Sequence, residues 1–393
     1  MSKEQLSVAV IGAGMAGRSH ANGYREANTI HGAGLPPIRL AAIADVNVKL
    51  AKEVADRYGF EDAAGSWEEA ANDPSIDAVS IVVGNSLHRE IAEAMLAAGK
   101  HVLCEKPPSN SIEDAEAMVK IASQSNLVAS TAYSFRRNPA IEAIRDLIAD
   151  GSLVNPVLVD ARYLADYATD PKGPMGWRFR GEMGTGALSD LGAHIIDLAE
   201  YVCGPIVSVS GAQLTTTITE RHLPIGNVIG HDMAELSEET EPVTNDDTAI
   251  FTATFDNGAV ATIRTSRVAF GLPNDLVLTV TGTECRAEFD WKRPAEFVVS
   301  DMQPDARTRG DRVVYVAPNT SRVFDDAVPM PGGNISFGYG DLFTYEIRVF
   351  IDEILEHPSA LPRNADLTDG LHTMKIVEAI KKSHEQGGAT VKV

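Results

Sequence analysis

The stretch Val8-Ala9-Val10-Ile11-Gly12-Ala13-Gly14-Met15-Ala16-Gly17 decides the fold. Four apolar residues make a strand, a glycine-rich turn follows, and from Ala16 to Arg25 the spacing turns helical. Gly12 permits the tight turn, Gly14 lets a pyrophosphate approach the backbone, and Gly17 lets the helix lie close to the strand. The helix N-terminus, at Met15 and Ala16, offers its amide hydrogens to the anion. Glycines alone also make turns that bind nothing. The order of strand, turn and helix separates this stretch from a bare pattern.

Working outward, short apolar runs at Leu40–Ala44, Ala78–Val83, His101–Leu103 and Leu127–Ser130 are strand-like. Between them, Val48–Tyr58, Ser66–Ala71, His88–Ala98 and Ile112–Ser123 carry Ala, Glu and Lys at helical spacing. That alternation predicts a doubly wound parallel sheet with crossover helices over residues 1–133. After Pro139 the pattern changes. Phe251, Ala253 and Phe255 alternate with Thr252 and Thr254, Asp256-Asn257-Gly258 is a hairpin turn, and Cys285, Ala287 and Phe289 alternate with Glu284, Arg286 and Glu288. Residues 134–393 are therefore expected to form an α+β domain on a large, mainly antiparallel sheet. His231–Asp247, acidic with few apolar residues, reads as a solvated loop. A last helix at about 366–385 closes the chain and is free to return towards the first domain.

At 393 residues and 44% hydrophobic content the chain has ample material for two or three cores. With 34 Lys and Arg against 55 Asp and Glu, its net charge of −21 repels phosphate backbones and anionic lipid, which argues against nucleic-acid and membrane-surface partners. Cys104, Cys203 and Cys285 are an odd number, widely spread, without metal-ligand spacing, so no metal is expected. The N-terminal apolar run is too short for a signal sequence or a membrane span, and the chain is expected in the cytoplasm.

Candidate site residues stand at the ends of these elements. Asp45 follows the second strand, where a carboxylate accepts hydrogen bonds from both hydroxyls of an adenosine ribose. That favours NAD over NADP, although the loop Asn28–Pro37 lengthens the usual interval and Asp45 is otherwise an ordinary turn residue. Lys106 follows an apolar strand at the edge where such sheets bind ligands, with Pro107 fixing its backbone. Its ammonium can hold a substrate hydroxyl and stabilise charge on that oxygen, whereas an isolated Lys-Pro is a surface turn. On a helix at 100° per residue, His194 falls about 40° and Asp197 about −20° from Asp190, while Leu191, Ile195, Leu198 and Val202 gather at about 80° to 140°. This predicts a packed stripe beside a polar one, with the glycine-rich approach Gly181–Gly186 letting a ligand come close. An imidazole suits proton transfer near neutrality and a carboxylate one turn away can orient it, while the same pair on a helix surface is only a weak stabiliser.

Taken together, these segments make the chain resemble the GFO/IDH/MocA family of dinucleotide-dependent sugar and cyclitol oxidoreductases along most of its length. The likeness rests on the glycine motif, Val83-Gly84-Asn85-Ser86-Leu87-His88, His101-Val102-Leu103-Cys104-Glu105-Lys106-Pro107, Ala132-Tyr133-Ser134-Phe135-Arg136-Arg137-Asn138-Pro139 and Gly186-Ala187-Leu188-Ser189-Asp190-Leu191-Gly192-Ala193-His194-Ile195-Ile196-Asp197. Gly84 stands where the family commonly has proline. The resemblance implies NAD contacts from Asn85, His88, Glu105 and Lys106 besides the glycine motif and Asp45. His88 equally suits a support for the loop that Asn85 shapes. The resemblance further implies catalysis by Lys106, Asp190 and His194, and a sugar, polyol or cyclitol substrate. Tyr133 and Arg136 are expected to reach either cofactor or substrate, and the sequence does not say which. Trp177 and Arg178 resemble a pocket-lining stretch, but also suit a core Trp beside a surface Arg. A homodimer or homotetramer, assembled partly through the open face of the second sheet, is implied as well. Two other classes stay open on the same fold: a glycosidase that uses bound NAD for transient oxidation and elimination, and a catalytically silent dinucleotide-binding regulator.

Overall fold

The structure, a computed structural model, describes residues 4–32, 34–153, 155–181, 185–226, 234–303, 305–318, 320–321, 332–334, 337–359 and 361–393. The first elements are β1 (Leu6–Ile11), α1 (Met15–Glu26), β2 (Ile38–Ala44), α2 (Val48–Tyr58), β3 (Asp62–Ala64), α3 (Trp67–Asn72), β4 (Ala78–Ile81), α4 (His88–Ala97), β5 (His101–Glu105), α5 (Ile112–Ser123) and β6 (Ala129–Ala132). There follow α6 (Pro139–Ala149), β7 (Leu158–Leu164), α7 (Ala193–Cys203), β8 (Ile206–Thr215), β9 (Glu220–Ile225), β10 (Glu235–Pro242), β11 (Thr248–Phe255), β12 (Val260–Ser266), β13 (Asp275–Thr281), β14 (Cys285–Asp290), β15 (Glu296–Asp301) and β16 (Arg312–Tyr315). The chain closes with α8 (Tyr339–Ile354), β17 (Ala365–Asp366), α9 (Leu367–Glu385) and β18 (Val391–Lys392).

Two compact units result: described residues of Met1–Arg137 and Gly338–Leu371 in one, those of Asn138–Phe324, Gly332–Phe337 and His372–Val393 in the other. The first unit is built on a sheet in the order β17-β6-β5-β4-β1-β2-β3, parallel except for β17. Every residue of β1 is buried, as a central strand covered on both faces must be. Leu6, Val8 and Val10 join Ala21 and Tyr24 of α1 and Ile347, Phe350 and Ile351 of α8, while Ala9 and Ile11 face Ile91, Met95 and Met118 on the other side. The expected cut between 133 and 134 therefore differs from this grouping. Residues 338–371 return to the first unit because α8 buries an apolar face beside α1 and Ala365 pairs with Thr131 at the sheet edge.

The second unit carries a sheet in the order β16-β15-β14-β13-β7-β12-β11-β8-β18, antiparallel except where β7 runs parallel to β12. The Asp256–Gly258 turn joins β11 to β12 with Gly258 at φ +86°, and β14 alternates buried and half-buried residues. The acidic segment differs from the solvated loop expected of it. Residues 231–233 lie outside the described set, but Glu235–Pro242 forms β10 paired with β9, and Asp246 and Asp247 are buried. Their carboxylates hold backbone amides: Asp246 that of Leu188, Asp247 those of Thr217 and Ile218. Much of the charge run is thus a strand, and its last two acids are buried and spent on backbone amides. Among the described residues no helix is long and apolar enough to cross a membrane, and no group of three His, Cys, Asp or Glu is placed to hold a metal.

Candidate active site

The first unit supplies a cradle for a dinucleotide. Gly12 sits at φ +111°, where a Cβ would meet the Val82 carbonyl oxygen at 2.4 Å, and a Cβ on Gly17 would lie 1.9 Å from the Gly12 carbonyl. These two glycines are set by close packing. Around Gly14 a Cβ would meet nothing within 4 Å, so this is the glycine that leaves room for a ligand. Gly14 caps α1 without a side-chain hydrogen bond, leaving the amides of the turn that opens with Met15 and Ala16 without a side-chain cap. Asp45 stands at the end of β2, half-buried; its carboxylate accepts from the Ala13 amide at 2.8 Å and from the Asn47 amide at 2.8 Å. Asn85, in the turn between β4 and α4, is buried with its amide nitrogen lacking an acceptor. The open glycine, the uncapped helix start and this unspent donor fit a dinucleotide.

Around the end of β5, Glu105 accepts the Lys106 backbone amide at 3.0 Å and lies 3.3 Å from Nε2 of His20. Burial alone would raise the Glu105 carboxyl; the His20 hydrogen bond and the Lys106 charge hold it below the usual carboxylate range. His88 is fully buried, with Nδ1 at 3.1 Å from the Pro107 carbonyl and Nε2 at 3.1 Å from that of Val83. Both ring nitrogens face backbone carbonyls, and the single N–H of the neutral imidazole donates to one of them, so His88 packs between the loops carrying Asn85 and Lys106. Burial pulls its pKa below the usual 6.5, against the opposing pull of the two carbonyls. Tyr133 is buried with the Arg136 guanidinium 5.9 Å above its ring, and Arg136 reaches Asp369 at 3.5 Å.

In the second unit the structure brings Asp190, Tyr167, Trp177 and Arg178 together. Tyr167 donates to Asp190 Oδ2 at 3.0 Å, and Arg178 Nε lies 4.0 Å from the same oxygen. Burial first, and Asp190 beside it, push the Tyr167 phenol well above its ordinary value, so it stays protonated as a donor. Arg178 stacks on Trp177 at 4.3 Å. Its carbonyl accepts from Arg267 and Asn245, Arg267 is paired with buried Asp247 at 2.7 Å, and the guanidinium groups of Arg221 and Arg267 both lie over the Phe179 ring, at 4.1 and 4.6 Å. This scaffold was invisible in sequence, since its members are scattered from 167 to 267.

His194 is buried, its ring centroid 6.0 Å from that of Tyr163. The regular-helix arithmetic from Asp190 to His194 does not carry over, because Leu188–Gly192 forms a π-helical turn before α7 begins at Ala193. A π-turn spaces its bonds i to i+5, so Asp190 is rotated from its expected bearing. The polar residues of α7 lie in the interior: the helix is buried through Ala199, Asp197 included. Of the approach segment, 182–184 lie outside the described residues; Gly186, at φ +60°, packs against the Asp246 carboxylate.

Comparison with known proteins bears on this geometry. Residues 6–133 match the family model for the oxidoreductase family with an NAD-binding Rossmann fold, and residues 141–288 match the GFO/IDH/MocA C-terminal domain. The chain belongs to the GFO/IDH/MocA oxidoreductase family. It is 34% identical over 384 residues to levoglucosan dehydrogenase of Pseudarthrobacter phenanthrenivorans, covering 97% of this chain and 96% of that one. Myo-inositol 2-dehydrogenase of Thermotoga maritima is 25% identical, covering 97% of each chain. A solved structure of levoglucosan dehydrogenase in complex with NADH and levoglucosan superposes at a TM-score of 0.89 with 32% identity, covering 99% of each chain. The protein is thus an oxidoreductase of this family with an NAD-binding Rossmann sheet, followed in the chain by a large, mostly antiparallel one.

Proposed function

We propose that this GFO/IDH/MocA protein oxidises a secondary alcohol of a sugar, polyol or cyclitol, with anhydrosugars of the levoglucosan type the first substrates to test. The observation that carries the reading is Asp190, held by Tyr167 and Arg178 one π-turn ahead of buried His194. NAD, when bound, supplies the hydride acceptor; Gly12, Gly14, Met15, Ala16, Gly17, Asp45 and Asn85 would hold it. His194 takes the hydroxyl proton during oxidation and returns it in the reverse direction. Asp190, its negative charge fixed by a phenol and a guanidinium, supports the imidazolium that forms. Lys106 holds the substrate oxygen and stabilises charge building there. Trp177 and Arg178 present a flat apolar face beside a hydrogen-bonding cation, which suits the C–H and O–H faces of a pyranose. Residues 1–133 serve the cofactor and 134–393 the substrate and the contacts of a homodimer or homotetramer.

A panel of levoglucosan, L-sorbose, myo-inositol and simple aldoses, followed by NADH absorbance, tests this. Turnover of at least one member, lost on Lys106→Ala and His194→Ala in folded protein, is expected. Activity on none of them, or unchanged activity in both variants, would contradict the reading.

A further inference from the structure

His20 lies on α1, fully buried, and takes no part in the glycine motif or in the chemistry assigned above. Its Nδ1 is 3.0 Å from Ser80 Oγ on β4, and Tyr24, one turn along α1, reaches the same Oγ at 3.0 Å. Nε2 lies 3.3 Å from Glu105 Oε1, and the other oxygen of Glu105 takes the backbone N–H of Lys106. The ring of Phe343 on α8 closes over the imidazole at 5.4 Å between centroids.

Only one arrangement of protons satisfies every atom with a neutral imidazole. The Glu105 carboxylate accepts only, so Nε2 carries the hydrogen. Nδ1 then accepts from the Ser80 hydroxyl, whose oxygen accepts from Tyr24. Four side chains on three elements are thus polarised in one direction, ending at the residue before Lys106. A polar chain kept merely as filling has no reason to end there, since burying such groups stabilises nothing unless each is bonded. We infer that His20 is a positioning residue: through Nε2–H it fixes the Glu105 carboxylate, and Glu105 through the Lys106 amide and the Lys106 charge fixes where the ammonium stands. This rests on the role proposed for Lys106. A displacement of about 1 Å at a reacting group is enough to cost on the order of a hundredfold in rate.

The test uses the full chain with NAD and whichever sugar of the panel it oxidises, comparing wild type, Lys106→Ala, His20→Ala and His20→Gln. His20→Ala should lower kcat ten- to a hundredfold, with the NADH Kd from fluorescence titration within threefold of wild type. His20→Gln should recover most of that loss, because its amide nitrogen donates to Glu105 while its oxygen accepts from Ser80. In parallel, 15N spectra of the imidazole should show the Nε2-protonated tautomer, perturbed by Glu105→Gln. The inference fails if folded His20→Ala keeps kcat within twofold of wild type while Lys106→Ala is inactive. It fails if the Gln variant is no better than Ala, if the loss lies wholly in NADH affinity, or if the proton is on Nδ1. If wild type oxidises no sugar of the panel, the proposed function falls and takes the role of His20 with it, whereas activity with an inert His20 condemns the inference alone.

Discussion

Asp45 gives one carboxylate two tasks. It already accepts the Ala13 amide within the glycine turn, so the cofactor's ribose would meet an acceptor fixed in place. A 2′-phosphate brought there meets like charge. Arg39 offers no relief: it is the second residue of β2, six residues or about 20 Å from Asp45 along the strand, and is engaged by Glu61 and Ser75. Charged hydrogen bonds of this kind are worth about 1.5–3 kcal/mol, so kcat/KM should favour NAD over NADP by roughly tenfold to a hundredfold. Equal efficiencies would refute this. Asp45→Ala should narrow the preference and also weaken NADH binding, since the Ala13 amide loses its partner. On the reacting side, Lys106→Ala should lower kcat about a hundredfold while leaving NADH binding measurable. His194→Ala should cost roughly a hundredfold to ten-thousandfold in both directions, and Asp190→Asn less, because the amide keeps the Tyr167 hydrogen bond but not the charge. Steady-state rates of the three variants, after a check of folding, decide these roles.

At the scale of elements, the turn from β1 to α1 makes a paired prediction. Gly17→Ala drives a Cβ into the Gly12 carbonyl and should destabilise the fold by about 1–3 kcal/mol. Gly14→Ala meets no protein atom and has an ordinary φ of −68°, so its melting temperature should match wild type while NADH affinity drops roughly tenfold or more. If Gly14→Ala binds NADH normally, the cradle lies elsewhere. The loops that carry Asn85 and Lys106 meet at His88, whose folded pKa lies below its unfolded value near 6.5. Below that value the unfolded chain binds the extra proton, so the stability His88 contributes is full above pH 6.5 and is lost as pH falls towards the folded pKa. Urea midpoints measured across this range should fall on acidification, and His88→Gln should flatten that part of the curve. Most of the first sheet was legible because its strands and helices follow unbroken periodicities. The three-residue β3 and two-residue β17 are too short to show a period, and α8 escaped because it is buried almost throughout, which blurs its amphipathic stripe. Asp190 and His194 stood out in the sequence as candidates, but their relative bearing did not: a π-turn leaves no mark in an apolar pattern. His20 was hidden for the opposite reason, since its partners Ser80 and Glu105 lie 60 and 85 residues away.

For the whole molecule, the same sheet that stacks Leu6, Val8 and Val10 against α1 and α8 also delivers Asp45, Asn85 and Lys106 to the C-terminal ends of β2, β4 and β5. Arg178, beside Asp190, rests on a different scaffold, the buried Arg267–Asp247 pair with the Phe179 ring against it. The residues proposed for the reaction thus come from both units. The proposed function is net oxidation of a sugar, polyol or cyclitol with NAD as stoichiometric acceptor. The most direct measurement mixes limiting levoglucosan, or the best sugar of the panel, with excess NAD and the full-length protein, and counts NADH formed against sugar consumed. One NADH per sugar and a ketone product are expected. Cleavage of a glycoside without net NADH, or NAD binding with no consumption of any sugar, would contradict that function.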